Sequence, residues 1–126
     1  MIPSVERFFE HYAGGLISFS PERISQYYQT PLAIYSDQGV QTVTDASETI
    51  AFWQEGIKPY QNAGIKRIGF NIISDEQLSE KIFTAKVSWQ NYDEDGEIVA
   101  KETNFYILSE NGDELKISGL IVGATE

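Results

Sequence analysis

The chain has 126 residues, nineteen acids against nine bases, a net charge of −10 and no cysteine. That length is enough to bury one core, so residues 1–126 are read as a single domain, and 41% hydrophobic content separates it from a disordered tail. The acidity argues against nucleic acid and against an anionic membrane surface, since phosphate recognition needs a basic face. The absence of cysteine excludes disulfides, thiolate metal sites and cysteine nucleophiles.

The N-terminal stretch "MIPSVERFFEHY" is charged early and has no apolar signal-type core. Nor does any run approach the ~18 apolar residues of a membrane span. A cytoplasmic location is therefore expected. From Pro3, which suits a first helical turn, Val5, Phe8, Phe9, Tyr12 and Leu16 recur at helical spacing. Gly14–Gly15 should fray that helix or let something pack closely against its end. "SPERISQYY" reads as a second, shorter helix with Ser20 as cap and Pro21 at its first position. Leu32–Tyr35 and Val40–Val43 read as short strands joined by "SDQG".

"TDASETIAFWQEGIKPY" is the clearest helix. Asp45 stands as cap with Glu48 three residues on, Ile50, Trp53, Ile57 and Tyr60 form the stripe, and Pro59 helps to end it. Four strands follow, Ile65–Ser74, Ile82–Tyr92, Ile98–Leu108 and Leu115–Val122. Their last two connections, "DEDGE" and "ENGDE", carry Asp-Gly and Asn-Gly hairpin signals. This order predicts an α+β fold, a cone-shaped roll in which three helices from the N-terminal half pack on the concave face of a curved antiparallel sheet. Such a cone does not close completely, and a pocket is expected between helices and sheet.

Recognised metal and nucleotide motifs are missing. The chain has one histidine and no HExxH, GxGxxG or P-loop, and "DEDGE" lacks the 12-residue pattern of a calcium loop. No cofactor is expected. His11 falls beside the apolar stripe, where a solvated side chain is the ordinary outcome. Asp37, at the end of an apolar run, is either a turn-former or a general base at a pocket mouth.

The element order, "ETIAFWQEGI" on the third helix and "VSWQNYDEDGE…TNFYILSENGDELKISG" at the end resemble the nuclear transport factor two-like superfamily, which includes the SnoaL-like proteins and ketosteroid isomerase. The resemblance spans nearly the whole chain and identifies a fold better than an activity. Set beside ketosteroid isomerase, "HYAGGLISFSPERISQYY" places Tyr12 at the family's tyrosine donor, and "AIYSD" places Asp37 at its base. The family's second acid falls on "KETNF". Matching the phenylalanine gives Thr103, whereas counting forward from "VSW" gives Glu102, and a one-residue slip exchanges the faces. With Thr103 inward, the site has a weak hydroxyl in place of a strong donor, a loss of about 3 kcal/mol in sites of this kind. The dehydratase and epoxide-hydrolase branches need pocket histidines or an Asp–Arg–Asp set. One histidine, and no arginine after Arg67, fits neither.

Two readings follow from the resemblance. The first is a SnoaL-like protein that binds an apolar or aromatic small molecule in a pocket lined by Tyr12, Tyr28, Tyr35, Trp53, Trp89 and Phe105. The alternative is an isomerase using Asp37 as base and Tyr12 as hydrogen-bond donor, with Thr103 beside them. A homodimer is also expected. Apolar residues occupy both alternating faces between Ile98 and Leu108, and a sheet with helices on one side only should otherwise show a polar second face.

Overall fold

The computed structural model describes residues 4–126, so Pro3 lies outside it. Helix α1 (Val5–Ile17) begins at Ser4, whose hydroxyl accepts the Arg7 N–H at 3.2 Å. Its apolar stripe turns Val5, Phe8, Phe9, Tyr12 and Leu16 into the core. The glycine pair does not end this helix. Gly15 is instead a point of close approach, because a Cβ there would fall 2.7 Å from a carbon of the Tyr27 ring. Helix α2 (Pro21–Ser25) has Ser20 as cap and Pro21 at its start, and it is shorter than expected: Tyr28 already belongs to the first strand.

Helix α3 (Ala46–Gly56) starts where Asp45 accepts the Glu48 N–H at 3.1 Å. Glu48 reaches back one residue further than in the usual capping box, to the N–H and hydroxyl of Thr44. The helix stops at Gly56. After Ile57 the chain makes a separate short helix, α4 (Lys58–Asn62), with Pro59 near its start. Ile57 between them keeps a helical backbone conformation, its N–H bonding to the Trp53 carbonyl and its own carbonyl accepting the Gln61 N–H, so the two segments follow one another closely.

Six strands form one sheet: β1 (Tyr28–Ser36), β2 (Gly39–Val43), β3 (Arg67–Gln77), β4 (Ile82–Tyr92), β5 (Ile98–Asn111) and β6 (Glu114–Ile121), in the order β2-β1-β6-β5-β4-β3. From β3 to β6 the sheet is the expected antiparallel meander, but β1 runs parallel to β6. The reason is topological: β2 and the two helices α3 and α4 separate β1 from the meander, whose last strand, β6, returns to lie beside β1. Pairings β1–β6, β3–β4, β4–β5 and β5–β6 each contain a register shift, and irregularities of this kind bend a sheet.

The concave face holds the core. Phe83, Ala85, Val87 and Trp89 of β4, Tyr106 and Leu108 of β5, and Ile117 and Leu120 of β6 meet α1 and Trp53 of α3. Phe9, fully buried, has its ring edge-on to both Trp89 and Tyr106, at 6.1 and 5.0 Å between centroids. Burying one such side chain contributes about 1.5–3 kcal/mol, so this aromatic centre fixes how α1 sits across the sheet. The convex face is mixed. Lys86, Ser88, Gln90 and Thr103 share it with half-buried Phe105 and Ile107. Strand pairing also aligns Val40, Tyr35, Ile121 and Phe105 in one row across four strands. Among the described residues no helix is long and apolar enough to cross a membrane.

Candidate functional site

Between the helices and the concave face lies a cavity of about 280 Å³. Its walls are Tyr12 and Leu16 of α1, Tyr28 of β1, Phe52, Trp53 and Gly56 of α3, Pro59 and Tyr60 of α4, Trp89 of β4, Glu102, Asn104 and Tyr106 of β5, Leu120 of β6, and Val122. Alternation explains the β-strand part. Trp89 pairs directly with Glu102, so the two share a face, and Asn104 and Tyr106 follow Glu102 at the strand period of two. Tyr60, on the short helix that follows α3, completes the wall beside Trp53, Gly56 and Pro59.

The rings stand at steep mutual angles and so form walls rather than a stack. Tyr12 meets Tyr28 at 70° and Trp89 at 73°, while Tyr28 meets Trp53 at 54°, with centroids 5.9–6.4 Å apart. Polar atoms are few and ordered. The Tyr12 and Tyr28 hydroxyls lie 2.5 Å apart and share one hydrogen bond. Tyr106 accepts from the Trp89 indole at 2.9 Å and from the Asn104 amide at 3.2 Å. The Asn104 carbonyl oxygen in turn accepts the Gly123 N–H at 3.1 Å, tying the end of β6 to this wall. With both lone pairs of Tyr106 occupied, its own O–H remains as a donor. One hydroxyl of the Tyr12–Tyr28 pair likewise keeps a spare proton. The Trp53 indole N–H is buried with no hydrogen-bond partner among the described residues.

Burial pushes all four cavity tyrosines, Tyr12, Tyr28, Tyr60 and Tyr106, above the usual phenol range, so they act as neutral donors. Glu102 is the one carboxyl in the cavity wall. Burial raises its pKa above the ordinary glutamate value, and the Asn104 amide opposes that only in part. No group of three or more His, Asp or Glu side chains that could hold a metal occurs among the described residues.

Of the residues singled out in the sequence, Tyr12, Tyr28, Trp53 and Trp89 line this cavity. Four others do not. Asp37 is exposed in the two-residue turn after β1, because the strand ends at Ser36 and its partner Gly39 follows at once. Tyr35 is 43% exposed on the convex side, one step out of phase with buried Ile34. Thr103 pairs with Ser88, and with it lines a groove on the opposite face. Phe105 follows Thr103 in phase and lies in the convex row. The position left open between Glu102 and Thr103 thus falls to Glu102. His11 lies on an open groove beside α1, outside the cavity.

An aromatic cavity enclosed by helices over a bent six-stranded sheet defines a cone-shaped α+β roll, and comparison with known proteins agrees. Residues 3–125 match the family described as NTF2-like protein (DUF6841), and the chain belongs to that family. Among curated proteins no relative matches. A cystatin-like domain of unknown function from Nostoc punctiforme superposes with a TM-score of 0.74 at 12% identity, covering 97% of this chain and 75% of that one. An NTF-2 like protein of unknown function from Shewanella oneidensis gives 0.72 at 13%, with 94% of each chain covered. A protein with a ketosteroid isomerase-like fold from Catenulispora acidiphila, in complex with trimethylamine, gives 0.60 at 10%, covering 97% and 88%. At these identities the likeness is one of fold.

Proposed function

We propose that this protein binds an apolar or aromatic small molecule in the cavity between its helices and the concave face of its sheet. The observation that carries this reading is the ring-walled volume of about 280 Å³, room for a compact organic molecule, with polar groups confined to a few positions. Such a ligand has an apolar body and few polar atoms; an acceptor on it would meet the spare protons of Tyr106, the Tyr12–Tyr28 pair or Trp53. A fold relative carrying trimethylamine is consistent with small organic molecules entering folds of this shape. The isomerase alternative has no support at Asp37, whose carboxyl is outside the cavity.

We further propose that two copies associate through the convex face. The aligned row of Val40, Tyr35, Ile121 and Phe105 is apolar and, at its first three positions, exposed. Titration with 2-naphthol tests the binding reading, because the two tryptophans of the chain both line the cavity. Saturable quenching is expected in the wild type and its loss in Val122→Phe, which enlarges a half-buried side chain at the wall. Equal quenching in both would refute the assignment.

A further inference from the structure

The cavity contains one carboxyl and no lysine, arginine or histidine among its fourteen lining residues. Glu102 makes no ion pair among the described residues; the two present join Lys58 to Glu55 and Lys116 to Glu114. Its neighbour in sequence, Lys101, is in register with Gln90 and lies in the convex groove, which Glu102 also borders, but the two make no ion pair. A partly buried carboxyl without a counter-charge has two ways to lower its energy, taking a proton or taking a cation.

The surroundings favour a cation from outside. Tyr12, Tyr28, Trp53, Tyr60 and Trp89 present ring walls around the same volume, and the faces of such rings carry partial negative charge. A metal ion is a poor candidate, since hard divalent cations need several oxygen ligands and Glu102 stands alone. The net charge of −10 also enriches small cations near the surface.

Resting on the reading of this cavity as a ligand site, we propose that its ligand is an organic ammonium ion, with the charge against Glu102 and the hydrocarbon body among the aromatic walls. The Asn104 amide beside Glu102 is the donor that would steady the carboxylate once the cation is in place. Burial holds the Glu102 carboxyl toward its neutral form, and a bound cation would offset that cost by supplying the opposite charge.

The test compares benzyltrimethylammonium with its neutral carbon isostere neopentylbenzene, by tryptophan emission at neutral pH. The two have the same shape and differ in charge. The expected result is binding of the cation tighter by about tenfold or more, with the preference mostly erased in Glu102→Gln. Equal or tighter binding of the isostere by the wild type overturns the cation proposal and leaves the cavity a ligand site. If neither compound changes the emission, the binding reading falls and the cation proposal with it. A preference that survives unchanged in Glu102→Gln also overturns the proposal, because the charge would then be recognised elsewhere. The comparison on wild-type protein stands even if the variant fails to fold.

Discussion

Removing the hydroxyl of Tyr12 isolates one interaction at the polar end of the cavity. Tyr12 is 1% exposed and Tyr28 7%, and their hydroxyls share a hydrogen bond 2.5 Å long. Tyr12→Phe keeps the ring, its stacking against Phe8 and its contact with Trp89, so the change is confined to the hydrogen bond. Losing the net bond costs about 1 kcal/mol, and leaving the Tyr28 hydroxyl unpartnered brings the total to about 1–2 kcal/mol. The lower part of the unsatisfied-group range applies because Tyr28 lines a cavity that water can enter. For a domain of this size that corresponds to a fall in Tm of roughly 4–8 °C. Tyr28→Phe removes the same bond from the other side. The double variant should therefore cost less than the two singles together, by about 1 kcal/mol. Urea denaturation of the four proteins measures this cycle. Strict additivity would show that the two hydroxyls do not share a bond, and would undo the description of this wall.

The Glu102→Gln variant should show a pH-dependent difference. Burial raises the folded-state pKa above the unfolded one, so the wild type binds the extra proton when folded and loses stability as pH rises from the ordinary glutamate range through the raised value. Glutamine has no such loss. The variant should gain on the wild type above that window and show no such gain below it; a difference independent of pH in thermal melts would speak against burial as the cause. Asp37→Asn, on an exposed turn, should change stability by no more than about 0.5 kcal/mol and leave ligand affinity unaltered. A clear loss of affinity would mean that the turn reaches the cavity. Ile121→Lys places a charge in the middle of the convex apolar row, so sedimentation should show a dimer for the wild type and a monomer for the variant. A monomeric wild type at micromolar concentration would dismiss the interface.

Much of the fold was written in local signals. Ser20–Pro21 and Asp45…Glu48 mark the helix starts where the structure has them, and Asp-Gly and Asn-Gly mark the last two hairpins. The parallel pairing of β1 with β6 has no local signature, since it joins segments about ninety residues apart. The site was legible where a residue sat on a long periodic element: Tyr12 on α1, Trp53 on α3, Trp89 on β4. It was not legible where one step of phase decided the face. Tyr35 against Ile34 and Thr103 against Glu102 each depend on strand register, which the pairing partner sets rather than the residue itself. The parity of Trp89, carried across its pairing to Glu102 and onward to Asn104 and Tyr106, was the usable clue, and counting forward from "VSW" followed it. Tyr60 read as a packing residue because its place on the apolar stripe suits core and cavity wall equally. For Asp37 the chain gave no means of choosing between turn and pocket, because both roles suit an acid at a strand end.

The central claim is that the ring-walled cavity takes up a small organic molecule. Both tryptophans of the chain stand in its wall, so a ¹⁵N-correlation spectrum contains two indole N–H signals, each a reporter of the cavity. Titration with small aromatic compounds should shift both signals together and saturably, while backbone signals of the Asp37–Gln38 turn and the convex face stay in place. If the compounds move only those surface signals, and the Trp53 and Trp89 indoles never respond, the cavity is not a binding site and the account is contradicted.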